Sequence, residues 1–209
     1  MPEREPEPRG EPRLGAVVLA AGGSSRMGSA KQLLELGGRP LVAGAVEAVL
    51  GSPARPVVVV VGADAERVRA AIARQPVSVV FNPAWSSGIA SSIRLGLSAL
   101  LGAEPALDAV LVALCDQPAL SPAIIGRLAA LHRATGLIAA ARYSGRNGAP
   151  AVFGREHFAA LAALEGDEGA RRLLNGRPGL VAAEDLPEMG LDLDTPDDCR
   201  DWVRRHQGP

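Results

Sequence analysis

Residues 16–38 read AVVLAAGGSSRMGSAKQLLELGG, and this stretch decides the fold. The run Ala16–Ala20 has the length and the Val, Leu and Ala content of a strand buried on both faces. It passes directly into Gly22-Gly23-Ser24-Ser25, then Arg26, Gly28 and Lys31. Glycines at the end of a buried strand let the backbone approach a ligand closely and leave N–H groups pointing inward. Those amides, with two serine hydroxyls, suit phosphate oxygens, and Arg26 and Lys31 carry the positive charge a triphosphate requires. Neither familiar phosphate loop fits. A Walker loop places Lys directly after its last Gly and Ser or Thr after that. Here Ser29 and Ala30 separate Gly28 from Lys31, and Gln32 follows. A dinucleotide turn needs Gly-x-Gly-x-x-Gly, which Gly22-Gly23 does not start. The alternative is a plain strand-to-helix turn with solvated Arg and Lys. Two cations placed beyond a first strand favour nucleotide binding over it.

Outward from this turn, apolar runs recur at Val57–Val61, Val77–Phe81, Ala109–Leu114 and Leu137–Ala141. Each has the length of a buried strand. Between them lie helix-spaced segments. Leu41–Leu50 follows Pro40, a favourable first-turn residue, and Ala65–Arg74, Ile89–Leu101 and Pro122–Ala134 follow the later runs. Alternating strand and helix predicts right-handed crossovers and an α/β fold, a three-layer α/β/α sandwich on a mostly parallel sheet. Tyr143–Pro150 reads as a loop with a tight turn. A last helix is expected from Pro196, capped by Asp194 or Thr195. Residues 1–13, MPEREPEPRGEPR, have no apolar period and read as a disordered lead-in. Residues 14–209 read as a single domain.

The 209 residues bound the function from another side. With 22 Lys+Arg against 23 Asp+Glu, the formal charge of -1 offers no footprint for nucleic acid or an anionic membrane. Aromatic residues at 3% leave little for a base-stacking surface. No apolar run approaches the roughly 20 residues that span a bilayer, and residues 1–13 do not read as a secretory signal, so the cytoplasm is the expected location. Cys115 and Cys199 form no close pair, and His132, His157 and His206 are scattered, so neither a disulfide framework nor a metal cluster is indicated. Cys115 reads as a small buried hydrophobe.

Asp116 lies just past the run Ala109–Leu114 and is expected at the same sheet edge as the glycine turn. A carboxylate beside a triphosphate repels it unless Mg²⁺ bridges the two. The other reading of Asp116 is a turn residue or helix cap, although Ser121 caps the next helix better. Asp192 and Asp194 share one side of the segment if it is extended. Asn82-Pro83-Ala84-Trp85-Ser86-Ser87-Gly88 joins a strand to the helix carrying Ser91, Ser92 and Arg94, whose N-terminus would offer free N–H groups to an anion. Trp85 can equally pack over the sheet edge, and Arg94 can be a solvated helix residue.

LAAGGSSRMGSAKQLL (19–34) resembles the signature of MobA-like nucleotidyltransferases, in their molybdenum cofactor cytidylyltransferase branch. The resemblance continues through NPAWSSGIASSIRLGL (82–97), LCDQP (114–118) and DLDTPDD (192–198), from Leu14 to about Trp202. It implies a Rossmann-like nucleotidyltransferase fold and transfer of CMP from CTP to molybdenum-loaded molybdopterin, giving molybdopterin cytosine dinucleotide and pyrophosphate. It further implies nucleotide contacts from Ala20, Ala21, Gly22, Gly23, Ser24, Ser25, Arg26, Lys31, Asn82, Gly88 and Ser92. Arg26, Lys31 and Asp116 are the expected catalytic residues, and Asp116 and Asp194 the expected Mg²⁺ ligands. A guanylyl or other nucleotidyltransferase with a different phosphorylated acceptor remains an alternative. Ala20-Ala21 before Gly22 favours the cytidylyl branch. A non-catalytic accessory protein that hands cofactor to a client molybdoenzyme is a second alternative, and a nicotinamide-dependent reductase a third. Two positions depart from the family pattern. Ala149 stands where the family often has His or Asn before Pro, and Ala30 where it often has Pro.

Overall fold

The computed structural model describes residues 12–23, 30–191 and Trp202. Its centre is a seven-stranded sheet. In chain order the strands are β1 (Leu14–Ala20), β4 (Val57–Val61), β5 (Ser78–Phe81), β6 (Ala109–Leu114), β7 (Ile138–Tyr143), β8 (Arg146–Gly154) and β9 (Val181–Asp185). A separate two-residue pair, β2 (Glu35–Leu36) and β3 (Arg39–Pro40), closes around Gly37-Gly38. The helices are α1 (Leu41–Leu50), α2 (Ala65–Ala71), α3 (Ile89–Ala103), α4 (Pro122–Thr135), α5 (Phe158–Ala162) and α6 (Arg171–Asn175).

Why three layers form can be read strand by strand. Successive strand residues point to opposite faces. Ala16, Val18 and Ala20 join Val57, Val59, Val61 and Leu111 in one apolar cluster, under α1, α2 and α4. Val17 and Leu19 join Val58, Val60, Val110 and Val112 in the other, under α3, α5 and α6. Both faces of β1, β4 and β6 are buried, so these strands read as unbroken apolar runs rather than alternating ones.

The strand order is β5-β4-β1-β6-β8-β7-β9, with β8 alone antiparallel to its neighbours. The chain leaves β1 to one side for β4 and β5, then returns to the other side for β6. The crevice between the carboxyl ends of β1 and β6 is therefore the topological switch point, where open α/β sheets bind ligands. The glycine turn leaves β1 there, and Asp116 follows β6 there. Cys115 N–H donates to the Leu19 carbonyl at 3.2 Å and prolongs the β1–β6 pairing to that rim.

Four expectations need correction or trimming. Tyr143–Pro150 is not a loop: it holds the turn of the β7–β8 hairpin and half of β8. Ser144 and Gly145 both adopt positive φ, 49° and 72°, the condition of a tight type I′ hairpin turn. Polar Arg146 and Asn147 hid the strand period. Helix α2 stops at Ala71, short of Arg74, and α3 runs on to Ala103. Arg13, expected in the lead-in, is pinned: its N–H donates to Asp108 at 2.8 Å, and its carbonyl accepts from Asp108 and Ala109. The rest of the lead-in (1–11) and the helix expected from Pro196, apart from helical Trp202, lie outside the described residues.

Candidate active site

Beyond the switch point opens a cavity of about 470 Å³. Its wall runs through Ala20 at the end of β1 and Ala21, Gly22 and Gly23 after it, through Lys31 and Gln32, through Gly88 and Ser92 at α3, and through Cys115 and Asp116 after β6. Lys31 and Asp116, 85 positions apart in sequence, meet as an ion pair at 3.4 Å. Lys31 is 17% exposed and Asp116 34%. The 3-10 turn Lys31–Leu33 presents the lysine, and the end of β6 presents the carboxylate.

Gln32 is a site residue that sequence reading passed over. It is 3% exposed, and its carboxamide N–H₂ donates to the carbonyls of Ala20, at 3.3 Å, and Gly22. One side chain thus holds two acceptors of the glycine turn. Among the described residues its own Oε1 is buried with no hydrogen-bond partner. Trp85 lies against Gly23 so closely that a Cβ there would meet the indole at 2.6 Å. The tryptophan therefore packs over the turn and lines the cavity at once.

Asn82 is buried and is not part of the cavity wall. Its carboxamide donates to Ser91 Oγ at 2.8 Å and Ser92 Oγ at 2.9 Å, and accepts from Ala84 N–H at 2.9 Å. It shapes the 82–92 segment from behind, while Gly88 and Ser92 reach the cavity. The start of α3 offers fewer free N–H groups than expected. Ala90 N–H donates to Gly166 O at 3.2 Å and Ser91 N–H to Gly88 O at 3.2 Å. Arg94 is not a solvated side chain either, since its guanidinium donates to the Leu164 carbonyl. The segment 164–169 is thereby fastened over α3, and it brings Asp167 to the cavity. Nothing near the first motif announced Asp167. The turn pattern Gly166-Asp167-Glu168-Gly169, with positive φ at both glycines, was its one trace.

Gln117, also buried, ties the other side together. Its N–H₂ donates to Ala149 O at 2.7 Å, with longer contacts at 3.4 Å to Tyr143 Oη and Met189 O. Burial, with the Asp116 charge adding to it, pushes the Cys115 thiol well above its ordinary value. Cys115 is a protonated wall residue, not a nucleophile. Burial likewise raises Tyr143. Ser24, Ser25, Arg26 and Asp194 lie outside the described residues.

Residues 16–184 match the model of the MobA-like NTP transferase domain. A relative from Paenarthrobacter nicotinovorans, named nicotine blue oxidoreductase, is 39% identical over 88% of this chain and 93% of its own length. A solved nucleotidyl transferase from Methanothermobacter superposes with a TM-score of 0.75 at 26% identity, covering 93% of this chain and 97% of that one. Rv0371c from Mycobacterium tuberculosis, solved in complex with manganese, gives 0.73 at 30% identity, covering 91% and 98%. Among the described residues no helix is long and apolar enough to cross a membrane.

Proposed function

Because this chain belongs to the MobA-like NTP transferase family, we propose that it transfers CMP from CTP to the terminal phosphate of a molybdopterin-type acceptor. One observation carries the reading: Lys31 and Asp116 converge at 3.4 Å in the crevice where the glycine turn exposes its backbone. In the reaction an acceptor phosphate oxygen bonds to the α-phosphorus of CTP, and the bond from that phosphorus to the bridging oxygen breaks, releasing pyrophosphate. A phosphate nucleophile is already ionised at neutral pH, so no general base is required. The difficulty is electrostatic, since two anions must be held in line.

Lys31, with Arg26, stabilises charge on the transferred and leaving phosphates. Amides of Ala21–Gly23 read the base and hold the triphosphate. Mg²⁺ binds through one or two carboxylates plus substrate phosphates rather than in a full protein cage. Asp116, a partly exposed carboxylate on the cavity wall, suits that mode, and no cluster of three or more His, Cys, Asp or Glu exists among the described residues. We assign Asp194 as the second carboxylate. When bound, the ion supplies charge neutralisation at the α-phosphate. The manganese complex of the 30%-identical Rv0371c supports a divalent ion at this site.

Pyrophosphate release from CTP, GTP, ATP and UTP, each with Mg²⁺ and molybdenum-loaded molybdopterin, tests the reading. CTP is expected to lead. A lead for GTP would move the assignment to guanylyl transfer. Cofactor binding without pyrophosphate from any nucleotide would make the chain an accessory to a client molybdoenzyme. A second reading, reduction of an organic substrate by a nicotinamide nucleotide, draws on the 39%-identical relative named an oxidoreductase, because one fold hosts several chemistries. Against it stands the absent dinucleotide turn at Gly22-Gly23. Oxidation of NADH or NADPH by the purified chain, followed by absorbance, would reverse the ranking.

A further inference from the structure

The 3-10 turn Lys31–Leu33 carries two site residues at once: Lys31, paired with Asp116, and Gln32, which holds the glycine turn. Its internal support is slight. Leu33 N–H donates to Ala30 O at 2.9 Å and Leu34 N–H to Lys31 O at 3.1 Å, and no side chain caps its start. One turn of 3-10 helix with so few bonds does not hold itself in water. Packing from outside the turn must fix it.

Leu33 supplies one anchor, against the cluster under α1, α2 and α4. Leu34 supplies the other, in a third and smaller apolar cluster around Leu41, the first residue of α1. Leu41 N–H also donates to Leu34 O at 2.9 Å. Leu34 is thus bonded to Lys31 on one side and to the start of α1 on the other. The remaining members are Leu36, Leu191 and Trp202. Leu41 alone is buried, at 4% exposed, and the others are half-buried. A cluster this small depends on its largest member, since an aromatic side chain can bury roughly 150–250 Å². That member is Trp202, which comes from the far end of the chain and lines no part of the cavity.

We propose that Trp202 is a positioning residue for the reaction: by packing in the Leu34–Leu41 cluster it holds the Lys31 turn in place, and with it Lys31 against Asp116 and Gln32 against the glycine turn. The packing role stands on the cluster itself, and the kinetic consequence rests on the transferase reading. Trp202 meets no reacting group, so its loss acts through the turn. A misplacement of about 1 Å caused far from the chemistry can cost on the order of 10²-fold in rate.

Amide hydrogen exchange and steady-state pyrophosphate release from CTP, on the full chain, test this. In Trp202→Ala, exchange at Leu33 and Leu34 is expected to quicken at least 10-fold while exchange in Val57–Val61 stays as in wild type, because local opening is freed without global unfolding. Its kcat should fall roughly 10–100-fold, and Trp202→Phe, which restores a ring to the cluster, should recover most of the loss. In a Lys31→Ala background, Trp202→Ala should lower kcat by less than about threefold more, because residues that act as a unit are not additive. Should Trp202→Ala fail to fold, Trp202→Leu takes its place and is read the same way. Equal quickening at Leu33, Leu34 and Val57–Val61 would make Trp202 a general contributor to stability and overturn the proposal. Unchanged exchange at Leu33 and Leu34 would overturn it too, as would kcat losses that multiply in full with Lys31→Ala. If wild type released no pyrophosphate from any nucleotide, the transferase reading would fall, and the exchange pattern would still decide whether Trp202 holds the turn.

Discussion

In the proposed mechanism Lys31 stabilises charge on the reacting phosphates and Asp116 would hold the Mg²⁺ that neutralises them, and each can be removed alone. Removing one preorganised electrostatic group costs on the order of 10²–10³ in rate. Lys31→Ala and Asp116→Ala are each expected to lower CTP turnover by at least that much, with melting temperature held within a few degrees. Steady-state pyrophosphate release reads the first quantity and thermal melting the second, and near-normal turnover in either variant would remove its role. Gln32 acts differently, through the turn it holds. Gln32→Leu leaves the carbonyls of Ala20 and Gly22 without their donor, a cost of about 1–3 kcal/mol when such groups stay buried. The turn will re-aim its amides to recover partners, so KM for CTP should rise roughly tenfold while kcat changes less. A fall in kcat at unchanged KM would mean that Gln32 does not set the binding surface.

At the scale of elements, local sequence pattern and tertiary need agreed in some places and parted in others. Val57–Val61 and Ala109–Leu114 were legible to the residue, because a strand buried on both faces must be apolar throughout. Leu41–Leu50 was equally clear from Pro40 and its apolar spacing. The β7–β8 hairpin was hidden, since Arg146 and Asn147 begin β8 at an exposed end and interrupt its period. Asn82 was read as a ligand contact because polarity in a rim loop can serve either ligand or scaffold, and only packing shows that Ser91 and Ser92 consume it. Asp167 could not be reached from sequence, because the Leu164 and Gly166 carbonyls that fasten its loop use backbone atoms. That fastening makes Gly88 a sensitive joint. Its φ is +109°, and a Cβ would meet the Gly166 carbonyl oxygen at 2.4 Å. Gly88→Ala combines strain and clash, each about 1–3 kcal/mol at such positions. The expected result is a melting temperature lower by roughly 4–24 °C, at about 2–4 °C per kcal/mol for this size, with weakened CTP binding. Differential scanning calorimetry and a CTP titration check the two together.

Across the whole molecule, the two apolar clusters on either side of the sheet extend to the reactive rim, so polar chemistry sits directly on a dry core. Cys115 marks that border: it is 5% exposed and belongs to the cluster under α1, α2 and α4, while Asp116 beside it faces the cavity. Burial and the neighbouring carboxylate both hold its thiol above the ordinary range. The linkage has a definite sign. Below the unfolded thiol's pKa, about 8.5, both states are protonated and the thiol's contribution to stability is fully present. Above it the unfolded chain releases the proton first and gains relative to the folded one, so stability is lost as pH rises toward the folded pKa. Tyr143, raised by burial, extends the same trend above about pH 10. Melting temperatures of wild type and Cys115→Ala, taken from pH 7 to 10, should fall more steeply in wild type above about pH 8.5. Replacing the thiol removes its ionisation and leaves the other groups in place, so the difference in slope isolates Cys115. Parallel curves would mean that water reaches the thiol freely, and that the core does not close beneath the cavity.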